Sequence, residues 1–441
     1  MDAHSPALNF FTEQGINSGI LQSQFIEHLP ISSHSEAGYT EFNLTSPDFI
    51  DLSRSRILVK CKVVCGDGTD MPVIANEAGY ATGKGDCFLV NNFIDSIFDK
   101  VEFSIQGQNL TNDIPNHMYP FKSYIDTLLS ETKEENMARL FVKDAPKSIN
   151  ACSVWKALDT NEDNTKDSET IKKRSKVIQK SREFQMIGSL GVDFCKQSKY
   201  LLNNMNISIK FWQSGAPFSL LSASTDVNHK VKITDIRLIL CHVKLTNELF
   251  LAVNESVKVH PVSYPFKKSI MKSYSIAKGM QSVTLNDIFS GKCPDKIIIA
   301  MTTTKQFLGS YQSNPYFFQN FKLNEVGLYV NNVSLPGKPL TLDFNSDAFK
   351  SNFAEAFERL KSFTPIDNTL NYEDFHRGTT LIAMDLTNGE SGDLLAPVRE
   401  GQTRLELRFA EALSEPINIL IYGKDNACLT VDHARNATLT G

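Results

Sequence analysis

The chain lacks a paired-cysteine motif, clustered histidines, a long apolar run and a strong net charge, and each absence removes a class of function. Its eight cysteines (Cys61, Cys65, Cys87, Cys152, Cys195, Cys241, Cys293 and Cys428) are scattered, with no CxxC pair. Cys61 and Cys65 are spaced like half of a metal site. They lie in an alternating strand pattern, however, where four residues span about 13 Å, too far to share one ion. Reduced, buried thiols are the expectation. The nine histidines form no HxH, HxxxH or HExxH pair, which counts against a cupin-type metal centre. No GxSxG elbow is present, and the many acidic residues single out no catalytic pair. Neither a metal, a cofactor nor a catalytic residue is expected.

The formal charge of −5 over 441 residues argues against coating nucleic acid through a globally basic face. A basic run does occur, from Lys172-Lys173-Arg174-Ser175-Lys176 to Lys180 and Arg182. Glu162, Asp163, Asp167 and Glu169 precede it, so it reads as a solvated loop. No aromatic residue interleaves with it to stack on bases. No specific nucleic-acid contact is expected. Gly79 to Gly85 resembles a phosphate-binding loop, but only three residues separate Gly79 from Gly83 and no hydroxyl follows Lys84. A flexible surface loop fits better. Met1 to Pro30 shows no basic segment followed by an apolar one. The longest apolar stretches, such as Ile297–Met301, are far below the ~20 residues of a membrane span. The expected location is the cytosol or nucleus, where Asn43 and Asn206 would escape glycosylation.

What the sequence has in quantity is phenylalanine, 29 residues, suited to deep sandwich cores and subunit contacts. It also has short alternating strands. Ile57, Val59, Cys61 and Val63 share one face, opposite Leu58, Lys60 and Lys62. Val101, Phe103 and Ile105 alternate next, and Gln106-Gly107-Gln108 turns the chain. Phe121, Tyr124, Ile125, Leu128 and Leu129 then fall at helical spacing and predict an amphipathic helix over 119–130. Ile207, Ile209 and Phe211 form another strand face. Polar and turn residues at 214–229 suggest a boundary. The plan then repeats, with Val326, Leu328 and Val330, a helix over 349–360, and strands at 381–386, 404–409 and 417–422. Strand, turn, strand, short helix, strand, long loop, strand is the order in both halves. The pattern indicates an all-β chain of two tandem sandwiches, each with one short inserted helix. Alternation alone equally permits jelly rolls and immunoglobulin-like sandwiches.

Several segments carry a resemblance. EFNLTSPDFIDLSRSRILVK at 41–60, VNNFIDSIFDKVEFSIQG at 90–107 and YPFKSYIDTLL at 119–129 resemble the major capsid proteins of Polinton (Maverick) elements and adintoviruses. In the second half, NEVGLYV at 324–330, PGKPL at 336–340, TLIAMDL at 380–386 and RLELRFAE at 404–411 look like the same family. The likeness runs in order over about 25–430 and is weakest at 66–86 and 159–182.

That resemblance implies a double jelly roll and a non-enzymatic shell subunit, localised in the virion capsid. It implies homotrimers forming pseudo-hexagonal capsomers, and a single-jelly-roll penton protein at the fivefold vertices. It carries no catalytic residues; a carbohydrate-binding or hydrolytic jelly-roll protein and a domesticated cellular descendant of a capsid protein stand as the alternatives. The expected organisation is an N-terminal arm at 1–34, a first jelly roll at 35–218 and a second at 219–441. Phe10, Phe11, Ile16 and Ile20 would let the arm tie subunits together. Tyr316, Phe317, Phe318 and Phe321 crowd beyond what one strand face can bury; core packing and subunit contact are both open for them.

Overall fold

The computed structural model describes residues 19–32, 38–71, 87–130, 177–222, 228–289, 291–344, 348–365, 370, 372–387 and 399–440. In the first half the strands are β1 (Ile20–His28), β2 (Tyr39–Thr45), β3 (Phe49–Cys65), β4 (Phe98–Ile105), β5 (Gln108–Asn109), β6 (Phe184–Ser189), β7 (Asn206–Gln213) and β8 (His229–Leu245). They pair antiparallel in two four-stranded sheets, β1-β8-β3-β6 and β2-β7-β4-β5.

The second half has β9 (Val262–Ile276), β10 (Ser282–Asn286), β11 (Lys296–Thr303), β12 (Leu323–Val330), β13 (Val333–Thr341), β14 (Leu381–Asp385), β15 (Thr403–Phe409) and β16 (Ile417–Val431). Its sheets are β9-β16-β11-β14 and β10-β15-β12-β13, and a last strand, β17 (Ala437–Thr440), pairs with β16. Adding eight to each label of the first half gives the sheet orders of the second. In each half the last of eight strands lies between the first and the third, which is jelly-roll connectivity. The immunoglobulin-like alternative is thereby removed. Two further two-residue ladders, Phe88–Leu89 with Leu220–Leu221 and Lys292–Cys293 with Arg399–Glu400, lie outside these sheets.

Strand faces follow the expected alternation. Ile57, Val59, Cys61 and Val63 are buried, as are Val101, Phe103 and Ile105, and Leu405, Leu407 and Phe409. One helix, α1 (Tyr119–Ser130), stands where expected, between β5 and β6. A second, α2 (Asn247–Val259), was not foreseen and joins the halves. At the place in the second half equivalent to α1 stand α3 (Ala354–Lys361) and α4 (Tyr372–Arg377). The expected helix over 349–360 therefore starts later. A short 3-10 turn occupies Ala348–Lys350, and Phe353 caps α3 while packing on Tyr372 and Phe375.

Two expected bounds are corrected. The arm at 1–34 contains β1, the first strand of the first jelly roll, which aligns with β8 from Ile20↔Leu245 to His28↔Leu238. It was illegible because it is an edge strand with polar and apolar residues on both faces, and Leu21 and Phe25 stay exposed. The boundary at 218/219 falls before β8, which completes the first sandwich. The strand pairing puts the junction at α2 instead. Phe10, Phe11, Ile16, Cys152 and the segments 72–86 and 131–176, including the loop Gly79–Gly85 and the basic run 172–176, lie outside the described residues.

Candidate functional site: the ionic seam between the sandwiches

The helix α1 has a clear apolar stripe, yet every residue from Tyr119 to Leu129 is buried. The stripe faces its own sandwich and the aromatic residues of the junction. Its polar side, with Lys122 and Asp126 one turn apart, is covered by the second sandwich. Buried charges persist only when paired and hydrogen-bonded. The pairing here is dense. The Lys122 ammonium lies 3.0 Å from Asp126 and 2.8 Å from Asp193, and donates to the Gly191 carbonyl at 2.8 Å.

Asp126 also meets Lys196 at 2.9 Å and Lys424 at 3.1 Å, and accepts a hydrogen bond from the Tyr422 hydroxyl. The second carboxylate, Asp193, accepts from the Ser269 backbone N–H at 2.9 Å, and the Ser269 hydroxyl donates to Tyr422 at 3.2 Å. Residues 122, 126, 193 and 196 belong to the first sandwich; 269, 422 and 424 belong to β9 and β16 of the second.

The titration behaviour follows from this geometry. Burial by itself would lower the Lys122 pKa, but Asp126 and Asp193 outweigh it and hold the group above its ordinary value. Burial would raise Asp126, but Lys122, Lys196, Lys424 and the Tyr422 hydrogen bond hold its carboxyl well below the usual carboxylate range. Tyr422 is pushed well above its ordinary value, first by burial and then by the two carboxylates. At neutral pH the Asp126 carboxylate and the Lys122 ammonium are therefore ionised. The seam is an ionic clamp.

Aromatic packing completes the junction. Tyr316 stacks on Tyr124 with ring centres 4.1 Å apart and planes 2° from parallel, and its hydroxyl lies 2.6 Å from the Ser96 hydroxyl. Phe121 packs against Phe218, Phe307 and Tyr316, and Phe318 meets Tyr124 edge-on. Tyr316, Phe317 and Phe318 are buried and Phe321 is half-buried against the core. Of the two roles open for this cluster, packing inside the chain is the one the structure shows. Gly309 makes the same junction tight: its φ is +88°, and a Cβ there would lie 3.0 Å from the Phe218 backbone.

Cys61 and Cys65 are buried free thiols on β3, and burial raises the Cys61 thiol. Among the described residues no three His, Cys, Asp or Glu side chains converge as a metal site requires, and no helix is long and apolar enough to cross a membrane. The ionic seam was missed in the sequence. Lys122 and Asp126 look like an ordinary surface pair at i,i+4, and their partners are about 70 and 300 residues away.

The chain aligns end to end with solved viral shell proteins. A chain of the Sputnik virophage matches with TM-score 0.60 and 10% identity, covering 100% of this chain and 92% of that one. The fold is the double jelly roll of viral major capsid proteins. The faustovirus major capsid protein gives TM-score 0.57 at 8% identity, covering 96% of this chain and 92% of its own. For the mavirus major capsid protein the values are 0.54 and 9%, with 100% and 95% covered. No family profile matches. The uncharacterized protein F54H12.2 of Caenorhabditis elegans is 22% identical over 261 residues, or 57% of this chain. The chain spans 62% of the length of that curated relative.

Proposed function

We propose that this chain is the major structural subunit of a virus-type shell, of the kind found in Polinton elements and adintoviruses. Three copies associate into a pseudo-hexagonal capsomer, capsomers tile an icosahedral capsid, and a single-jelly-roll penton protein fills the vertices. The observation that carries this reading is the end-to-end match of both sandwiches and their junction to major capsid proteins. Geometry supports it too. Two sandwiches of one topology, clamped rigidly, give a subunit two similar flanks, so a threefold ring of three copies presents six. The edge strand β1, exposed on both faces, is an unprotected edge of the kind that assembly covers. The reading includes no catalytic role, with the virion capsid as location and host cytoplasm or nucleus as place of assembly.

Size-exclusion chromatography with light scattering, followed by electron microscopy of the purified chain, tests it. Trimers and closed shells are expected; a monodisperse monomer that never associates at high concentration would sink the proposal. A second reading, a domesticated cellular descendant that keeps the fold without assembly, is favoured by the relative in an animal. Packaging ATPase, protease and DNA polymerase genes beside this one would exclude it.

A further inference from the structure

Beside the ionic seam lies a cavity of about 310 Å³, lined by Asp126, Leu129 and Ser130 of α1, by Lys296, Ile298, Tyr422 and Lys424 of the second sandwich, and by Phe363 and Pro365. The strand register explains which side chains meet there. Lys296 on β11 is directly opposite Lys424 on β16, and Ile298 is opposite Tyr422, so all four share one sheet face. Like charges directly opposite in a ladder oppose folding. Asp126 offsets Lys424 at 3.1 Å, but Lys296 forms no ion pair among the described residues, and a cation left so in the wall of a cavity points to a ligand.

The charge count agrees. Four ammonium groups (Lys122, Lys196, Lys296 and Lys424) face three carboxylates (Asp126, Asp193 and Asp385, the cross-strand neighbour of Lys296) around the seam and cavity, an excess of one positive charge. Asp126 lines the cavity but is already shared among three lysines and Tyr422. Among the described residues, the Lys296 ammonium has no carboxylate partner and sits 4.8 Å over the Phe363 ring. Asp385, opposite Lys296 on its other side, turns its Oδ1 to the Thr387 backbone N–H at 2.9 Å and hydroxyl at 2.6 Å and forms no ion pair with Lys296. The rest of the wall is apolar at Leu129, Ile298, Phe363 and Pro365, with hydroxyls only at Ser130 and Tyr422.

We propose that this cavity binds a small amphipathic anion, its oxyanion head between Lys296 and Lys424 and its short apolar body against Leu129, Ile298 and Phe363. Such a ligand touches α1 of one sandwich and β11 and β16 of the other, so its occupancy holds the two together. The volume is at the lower end of the range for small-molecule sites.

Calorimetric titration of the full-length, unassembled chain with octanoate tests this independently of any shell role. Octanoate is expected to bind with a Kd of about 1 mM or tighter and to raise the melting temperature as it saturates. Octanol, without the charge, and inorganic phosphate, without the apolar body, should each bind at least about tenfold more weakly. Lys296→Gln leaves the Asp126 network untouched and should weaken octanoate about tenfold or more. Ser130→Trp, at the cavity wall, should abolish binding while the chain stays folded by circular dichroism. Equal binding of octanol, undiminished binding to Lys296→Gln, or no binding of octanoate at 10-fold above the expected Kd would overturn the proposal.

Discussion

The same four-stranded sheet occurs twice in this molecule, and only in the second copy are central strands covered on both faces. In β1-β8-β3-β6 of the first sandwich, β3 alternates: Ile57, Val59, Cys61 and Val63 point inward, while Arg56, Leu58, Lys60 and Lys62 remain partly exposed. In β9-β16-β11-β14 of the second, residues 417–423 of β16 and 297–303 of β11 are buried without interruption. One side packs in the sandwich core and the other against α1 and the turn at 193–196. The first strands show the same contrast. β9 pairs with β16 over fifteen residues without a register shift and sends Ser269 to Asp193 and Tyr264 to Leu202. β1, in the equivalent position, is an outer edge held by one neighbour. Topology repeats, but position decides which copy becomes the centre of the molecule. An antiparallel sheet with one wet face reads as alternation, and one covered on both faces reads as a continuous apolar run.

The largest expected effect comes from the covered sheet's ionic clamp. Lys122→Met leaves two buried carboxylates short of their cation and should cost about 3–5 kcal/mol in urea unfolding. On the open sheet, Lys60→Met breaks the 3.7 Å pair with Asp235 and should cost less than about 1 kcal/mol. Equal losses at the two lysines would erase the contrast.

Core truncation sharpens it further. Ile421→Ala, on β16, should cost about 2–5 kcal/mol by thermal denaturation, because the cavity it leaves has packed walls. Leu58→Ala, facing outward from β3, should stay near about 1 kcal/mol or less. Separating the ring from its hydroxyl at Tyr316 comes next. Tyr316→Phe keeps the stack on Tyr124 and loses the Ser96 hydrogen bond, about 1 kcal/mol, whereas Tyr316→Ala should cost about 3–5 kcal/mol.

The smallest effect concerns β1. His28 and His242 meet nitrogen to nitrogen at 3.1 Å across the β1–β8 ladder, and the other His242 nitrogen lies 3.0 Å from the Ser46 hydroxyl. Burial lowers both imidazole pKa values. The neighbouring ring lowers His28 further, while Asp48 partly offsets the shift at His242. A base with a depressed folded-state pKa keeps its full contribution above its ordinary value of 6.5 and loses it as pH falls through the folded value. His242 is covered but His28 is only partly buried at the sheet edge, and the loss is below about 1 kcal/mol. Amide exchange at Phe25 and Ile26 should therefore quicken between pH 7.5 and 5.5 by more than the intrinsic rate change. Exchange in β9 should not change. Deleting residues 1–18, which spares β1, should leave trimers intact and impair shells in electron micrographs.

Much of the fold was legible because one-sided burial writes itself into the chain. β3, β4, β7, β12 and β15 each bury alternate residues, and α1 carries its stripe at helical spacing. The first strand was not legible, since an edge with little burial leaves no pattern. Nor was the junction, because β8 looks like any alternating strand until its pairing with β3 assigns it to the first sandwich. The helix α2 escaped because only Val257 is buried along it. At the seam, no local pattern distinguishes the buried Lys122 from the solvated Lys60.

By itself, the sequence determined that this is an all-β chain of two like halves with a helix interrupting each, because strand and helix periods are properties of neighbouring residues. Only the tertiary structure decided which sheet is covered, which charges are buried, and that Tyr316 and its neighbours serve the junction rather than the outside. Those outcomes depend on which distant surfaces come to exclude water between them, and local periodicity carries no record of that.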